Sequence, residues 1–151
     1  MTSIPSTQAN EVVPTYVGSG DPAGRFKDYF PAWLENLADD VTVEGTLLDG
    51  AVQGADAVRT IVGAIRTLYG DSQEFQSVGP WGDNGFIEDY VAQVRGEPIA
   101  CLALITRNAD GKTQHIAANY RPLSSLLLLS RLVGEHFADN PIGEHFRASE
   151  S

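Results

Sequence analysis

A chain of 151 residues can bury the core of one domain and is too short for two comfortable ones. With 42% hydrophobic and 9% aromatic residues it is not a disordered segment. Twenty acidic residues against ten basic ones give a formal charge of -10, which repels phosphate backbones and anionic headgroups, so no nucleic-acid or membrane partner is expected. Residues 1–20 mix Ser, Thr, Pro, Gly and Asn without periodicity and end in Gly18-Ser19-Gly20, which predicts a flexible N-terminal arm. No basic residue precedes Arg25 and no long apolar stretch opens the chain, so no secretory signal is read and a cytoplasmic protein is expected.

The domain is expected over 21–138. Asp21 and Pro22 make a helix start, with Phe26, Tyr29 and Phe30 at helical spacing, and Pro31 begins a second helix carrying Trp33, Leu34 and Leu37. The alternating, β-branched run over 41–48 predicts a strand closed by the Asp49-Gly50 turn. From Asp56 to Tyr69 the apolar residues Val58, Ile61, Val62, Ile65, Leu68 and Tyr69 follow the i, i+3, i+4, i+7 rule, with Gly70 just beyond: a long helix. Four strands follow near 73–79, 85–95, 98–107 and 113–121, and turns this short between them imply an antiparallel meander. A last helix is predicted from about Ser124 to Phe137, apolar on most of its circumference, and then a loose C-terminal tail over 139–151. Its Leu126–Leu129 run is far below the ~20 residues of a membrane span.

Several segments carry a family resemblance. Leu37-Ala38-Asp39-Asp40-Val41-Thr42-Val43-Glu44 resembles the start of the first strand in the nuclear transport factor 2-like superfamily, SnoaL-like branch. Gln53-Gly54-Ala55-Asp56-Ala57-Val58 resembles the opening of its long helix, Asp110-Gly111-Lys112 its last hairpin, and Tyr120-Arg121-Pro122-Leu123 an ending found in some members. The resemblance, covering roughly 25–125, implies an α+β fold: a cone-shaped barrel in which a curved antiparallel sheet wraps around the N-terminal helices and the long helix, with a C-terminal helix added. It also implies a small-molecule pocket, used in some members for isomerase, dehydratase, hydrolase or cyclase chemistry and in others for binding alone. Measured against the family's ketosteroid isomerases, Gly45 stands where the general-base aspartate is placed and about Ala103 where the buried acid is placed. Arg121 lies near the place of the acid that ends the last strand in the cyclases.

Alternate residues of each strand point into such a cone. With Gly45 and Ala103 facing inward, the expected lining is Glu88, Tyr90 and Ala92, then Cys101 and Ile105, then His115, Ala117, Asn119 and Arg121. The opposite set is Asp89, Gln93, Gln114 and Tyr120, and one β-bulge exchanges the sets from that point onward. Glu88 is the candidate general acid or base, because desolvation moves a buried carboxyl toward neutrality, and His115 is its candidate titrating partner. Tyr90, Asn119 and Arg121 are candidate ligand-orienting groups; a packed Tyr, a structural His and an Arg paired to Glu88 or Asp89 are the plainer readings.

Cys101 sits in the apolar run 99–105 and reads as a small buried hydrophobe, with no disulfide partner. Gly-Glu-His-Phe occurs at 134–137 and again at 143–146; two histidines nine residues apart do not make a metal site, so no metal is expected. Without a phosphate loop, Cys-x-x-Cys pair or nucleophile elbow, no cofactor is implied. The expected function is a small-molecule pocket protein, either a cofactor-independent lyase, isomerase or cyclase on a small apolar ring-containing ligand, or a non-catalytic binding or assembly module. A homodimer is expected, because one chain of this size cannot cover the outer face of the sheet.

Overall fold

The computed structural model describes residue 29 and residues 31–146. The expected arm over 1–20 and the first helix from Asp21 lie outside the described residues, apart from Tyr29. Six strands form one sheet: β1 (Leu37–Gly45), β2 (Val52–Gln53), β3 (Glu74–Trp81), β4 (Gly85–Val94), β5 (Glu97–Arg107) and β6 (Thr113–Arg121). Their order is β2-β1-β6-β5-β4-β3, in which β3 to β6 form the expected antiparallel meander and β1 lies parallel to β6. The sheet is curved and does not close into a barrel, because β3 and the two-residue β2 are its outer strands and do not pair.

The long helix α1 (Ala55–Tyr69) buries Val58, Ile61, Ile65 and Tyr69 at the spacing read from the sequence, and Gly70 ends it at φ 59°, a left-handed turn suited to glycine. Its apolar stripe joins Val41, Val43, Tyr90, Cys101, Ala103, Ile105, Ile116 and Tyr120 of the sheet in one core. Helix α2 (Leu123–His136) buries Ser125, Leu129, Leu132 and Val133, while Leu123 and Leu127 stay 69% and 58% exposed.

Two expectations are corrected. The helix expected from Pro31 through Leu37 is a four-residue 3-10 turn, Ala32–Glu35, and Leu37 already pairs with Thr113 across β1 and β6. Thr113 explains the early stop: its N–H donates to the Asn36 carbonyl at 2.8 Å and its Oγ1 to the Trp33 carbonyl at 3.1 Å. The chain is turned into the sheet before a second helical turn can form. The expected loose tail, as far as the structure describes it, is a 3-10 helix over Pro141–Phe146 with Phe146 buried.

Candidate functional site

The inner face of the sheet and the apolar stripe of α1 enclose a cavity of about 60 Å³. Its walls include Leu47 and Leu48 from the β1–β2 loop, Ile61, Ile65 and Arg66 from α1, Trp33 from the 3-10 turn, and Glu88, Tyr90, Cys101, Ala103, Ile116 and Tyr120 from the sheet. The alternation read from sequence therefore holds on β4 and β5, where Glu88 stands opposite Ala103 and Tyr90 opposite Cys101.

On β6 the alternation is reversed. Cys101 faces Tyr120, Ala103 faces Ala118 and Ile105 faces Ile116, so the even-numbered residues of β6 point inward. The register shifts between Thr106, which pairs with His115, and Arg107, which pairs with Thr113. Gln114 is the extra residue, and a one-residue bulge exchanges every side chain beyond it. His115, Ala117, Asn119 and Arg121 consequently lie on the outer face.

There His115 bridges two β1 side chains, its Nδ1 2.6 Å from Thr42 Oγ1 and its Nε2 2.8 Å from Glu44 Oε2. Asn119 donates to the Leu102 carbonyl at 3.3 Å, and Arg121 pairs with Asp89 at 3.5 Å. Of the five candidate site residues, the structure brings Glu88 and Tyr90 to the cavity and places His115, Asn119 and Arg121 on the other side of the sheet.

Glu88 is 2% exposed. Its Oε2 accepts the Tyr29 hydroxyl at 2.5 Å and the Trp33 indole N–H at 2.7 Å. Burial raises its carboxyl above the ordinary carboxylate range, opposed by these two donors and by the charge of Arg66. Burial and the bond to Glu88 hold the Tyr29 hydroxyl protonated, so it is the donor of that pair.

Beyond Tyr90 lies a cluster whose members the sequence reading did not join: the Tyr69 hydroxyl is 2.9 Å from that of Tyr90 and donates to that of Tyr120 at 3.3 Å. Burial raises all three tyrosines, so they remain neutral donors. It also pushes the Cys101 thiol up to about 12, which removes thiolate chemistry at neutral pH and agrees with the reading of Cys101 as a buried hydrophobe. Tyr69 lies on the apolar stripe of α1, and Tyr120, expected on the outer face, is brought to it by the bulge at Gln114, which the hydrophobic pattern of β6 does not announce.

Among the described residues no group of three or more His, Cys, Asp or Glu could hold a metal ion, and no helix is long and apolar enough to cross a membrane. No family model matches the chain, and no curated protein does. Solved structures do match its fold. A steroid delta-isomerase from Pseudomonas aeruginosa superposes with a TM-score of 0.65 at 19% identity, covering 72% of this chain and 80% of that one. A bacterial protein with a cystatin-like fold from Silicibacter pomeroyi DSS-3 gives 0.66 at 16% identity, covering 83% and 91%. A de novo designed protein with a curved β-sheet gives 0.53 at 16%, covering 65% and 78%.

The architecture is thus a cystatin-like α+β fold with its cavity between the long helix and the sheet. It is the α+β fold that the sequence resemblance implied, with an open sheet in place of a closed barrel. At these identities the likeness defines the fold, and the activity has to be argued from the site itself.

Proposed function

We propose that this chain binds a small, largely apolar, ring-containing molecule in the cavity and moves a proton on it without a cofactor, with Glu88 as the group that takes and returns the proton. The observation that carries the reading is a buried carboxyl, 2% exposed and raised toward neutrality, facing an apolar cavity that also holds three protonated tyrosine hydroxyls. Glu88 and Tyr90 are two residues apart on one face of β4, about 7 Å along the strand. That spacing lets a carboxylate work on one atom of a ring while a hydroxyl steadies an oxygen on another.

The sequence resemblance to the ketosteroid isomerases supports the reading in one particular. The buried acid which that resemblance puts at about Ala103 is absent here, but Glu88 is the residue directly opposite Ala103 on the neighbouring strand. Opposed side chains of an antiparallel pair have Cβ atoms about 5 Å apart, so a carboxyl from β4 occupies nearly the same region.

The test is solvent-deuterium exchange at the carbon beside the carbonyl across a panel of neutral cyclic ketones and enones, followed by NMR. Wild-type protein is expected to accelerate exchange on at least one of them, and Glu88→Gln to lose about 10²- to 10⁴-fold of that rate while the ligand still binds. Exchange that survives the substitution would remove Glu88 from the chemistry.

A second reading, a binding module without catalysis, is favoured by Gly45. A Cβ there would stand 1.9 Å from the Ala118 carbonyl oxygen, so the isomerase base position carries no side chain at all. On that reading Glu88→Gln shifts affinity modestly and no ketone exchanges. Either reading is proposed for a homodimer that covers the outer sheet face, where Ile87, Leu102 and Leu104 lie only partly buried.

A further inference from the structure

The two Gly-Glu-His-Phe copies pack on each other. A Cβ on Gly134 would meet the Phe146 Cβ at 3.3 Å, and a Cβ on Gly143 would meet the Phe137 carbonyl oxygen at 2.3 Å. The Phe137 and Phe146 rings stack with centroids 6.4 Å apart at 24°, and both are buried. Each glycine therefore makes room for the phenylalanine of the other copy, which fastens Pro141–Phe146 to the end of α2.

The fastened segment reaches the cavity wall. The Asp49 N–H donates to the His145 carbonyl at 2.7 Å. At its other end the same loop is held by β6: the Thr46 N–H donates to the Ala118 carbonyl at 3.1 Å, and the Tyr120 N–H donates to Thr46 Oγ1 at 2.8 Å. Between these attachments lie Leu47 and Leu48, which line the cavity. At about 60 Å³ the cavity is well below the roughly 150 Å³ that admits a benzene ring, so a ring enters only if a wall withdraws.

We propose that the second Gly-Glu-His-Phe copy is a strap that holds the Leu47–Leu48 wall and so sets the size of molecule the cavity admits, with Phe146 and Gly143 as the size-determining residues. The inference rests on the cavity being the ligand site, though not on Glu88 being catalytic.

Two variants test it. Phe146→Ala removes the stack, and Gly143→Ala pushes the strap off Phe137 while keeping both rings, so a folding failure of the first leaves the second. Amide hydrogen exchange is read by NMR over 46–49, with the amides of α1 as the control for global stability. Binding of phenol and of the two-ring 2-naphthol is read by titration. Exchange at Leu48 and Asp49 is expected to rise about tenfold or more with α1 unchanged, and the affinity for 2-naphthol relative to phenol to rise by about tenfold. Unchanged exchange at Leu48 and Asp49 overturns the strap, and so does a loosened loop with an unchanged ratio of the two affinities. If neither probe binds any variant and the Tyr69 and Tyr90 resonances stay put, the cavity fails as a ligand site and takes the inference with it. The proton-transfer reading stands or falls separately on Glu88→Gln.

Discussion

Two donors from far along the chain, Tyr29 and Trp33, converge on one oxygen of Glu88, and their effect competes with the burial that they help to create. Burial prevails, so the folded chain keeps the Glu88 proton to higher pH than the unfolded chain, whose glutamates titrate at about 4.3. The stability contributed by that proton is complete below the unfolded value and is lost as pH rises through the raised folded one. Glu88→Gln removes this titration and leaves the others. The melting temperature of the wild type minus that of Glu88→Gln is therefore expected to fall as pH is raised from about 4 to about 8. A difference that stays flat would mean that Glu88 ionises as it does in water. Glu88 itself was legible because it alternates in phase with Tyr90 on an apolar strand. Its donors were not, since they lie 59 and 55 residues away and no local spacing encodes such a meeting.

At the scale of elements, α1 and the four-strand meander were legible from periodicity and turn residues, and the inner face of β4 and β5 came with them. The failure on β6 has one cause, the unpaired Gln114, because a bulge leaves no mark in the hydrophobic pattern of Thr113–Arg121 strong enough to fix its phase. The short turn at Ala32–Glu35 departs from the expected helix for a related reason: helical spacing of Trp33, Leu34 and Leu37 says nothing of Thr113, which is 80 residues from Trp33 and donates to its carbonyl. Thr113 is 1% exposed, so Thr113→Val keeps the shape and deletes only the Oγ1 donor. It is expected to cost about 1 kcal/mol in chemical denaturation by removing one of the two hydrogen bonds that the Trp33 carbonyl accepts, the other coming from the Asn36 N–H. Because that carbonyl anchors the turn, Trp33 fluorescence is expected to change as well; unaltered emission would mean that the indole is held by Glu88 alone.

For the whole molecule, the outer sheet face mixes the polar pairs Asp89–Arg121 and Glu44–His115 with the partly buried Ile87, Leu102 and Leu104. Leu123 and Leu127 add exposed apolar surface on α2. A face that leaves such apolar residues partly open to water is the kind that a second copy covers symmetrically. Light scattering at micromolar concentration is expected to give twice the mass of one chain. The mass of a single chain would remove the dimer and leave those leucines to another explanation.

The three tyrosines give the apolar cavity one polar corner. The Tyr69 hydroxyl lies within hydrogen-bonding reach of those of Tyr90 and Tyr120, and burial keeps all three protonated. Each hydroxyl both gives a hydrogen and offers lone pairs, so the corner is polar yet carries no charge. An uncharged oxygen substituent can join such a trio by exchanging partners with one of its members. An ion of the same outline would shed its hydration shell there and meet no countercharge within the trio.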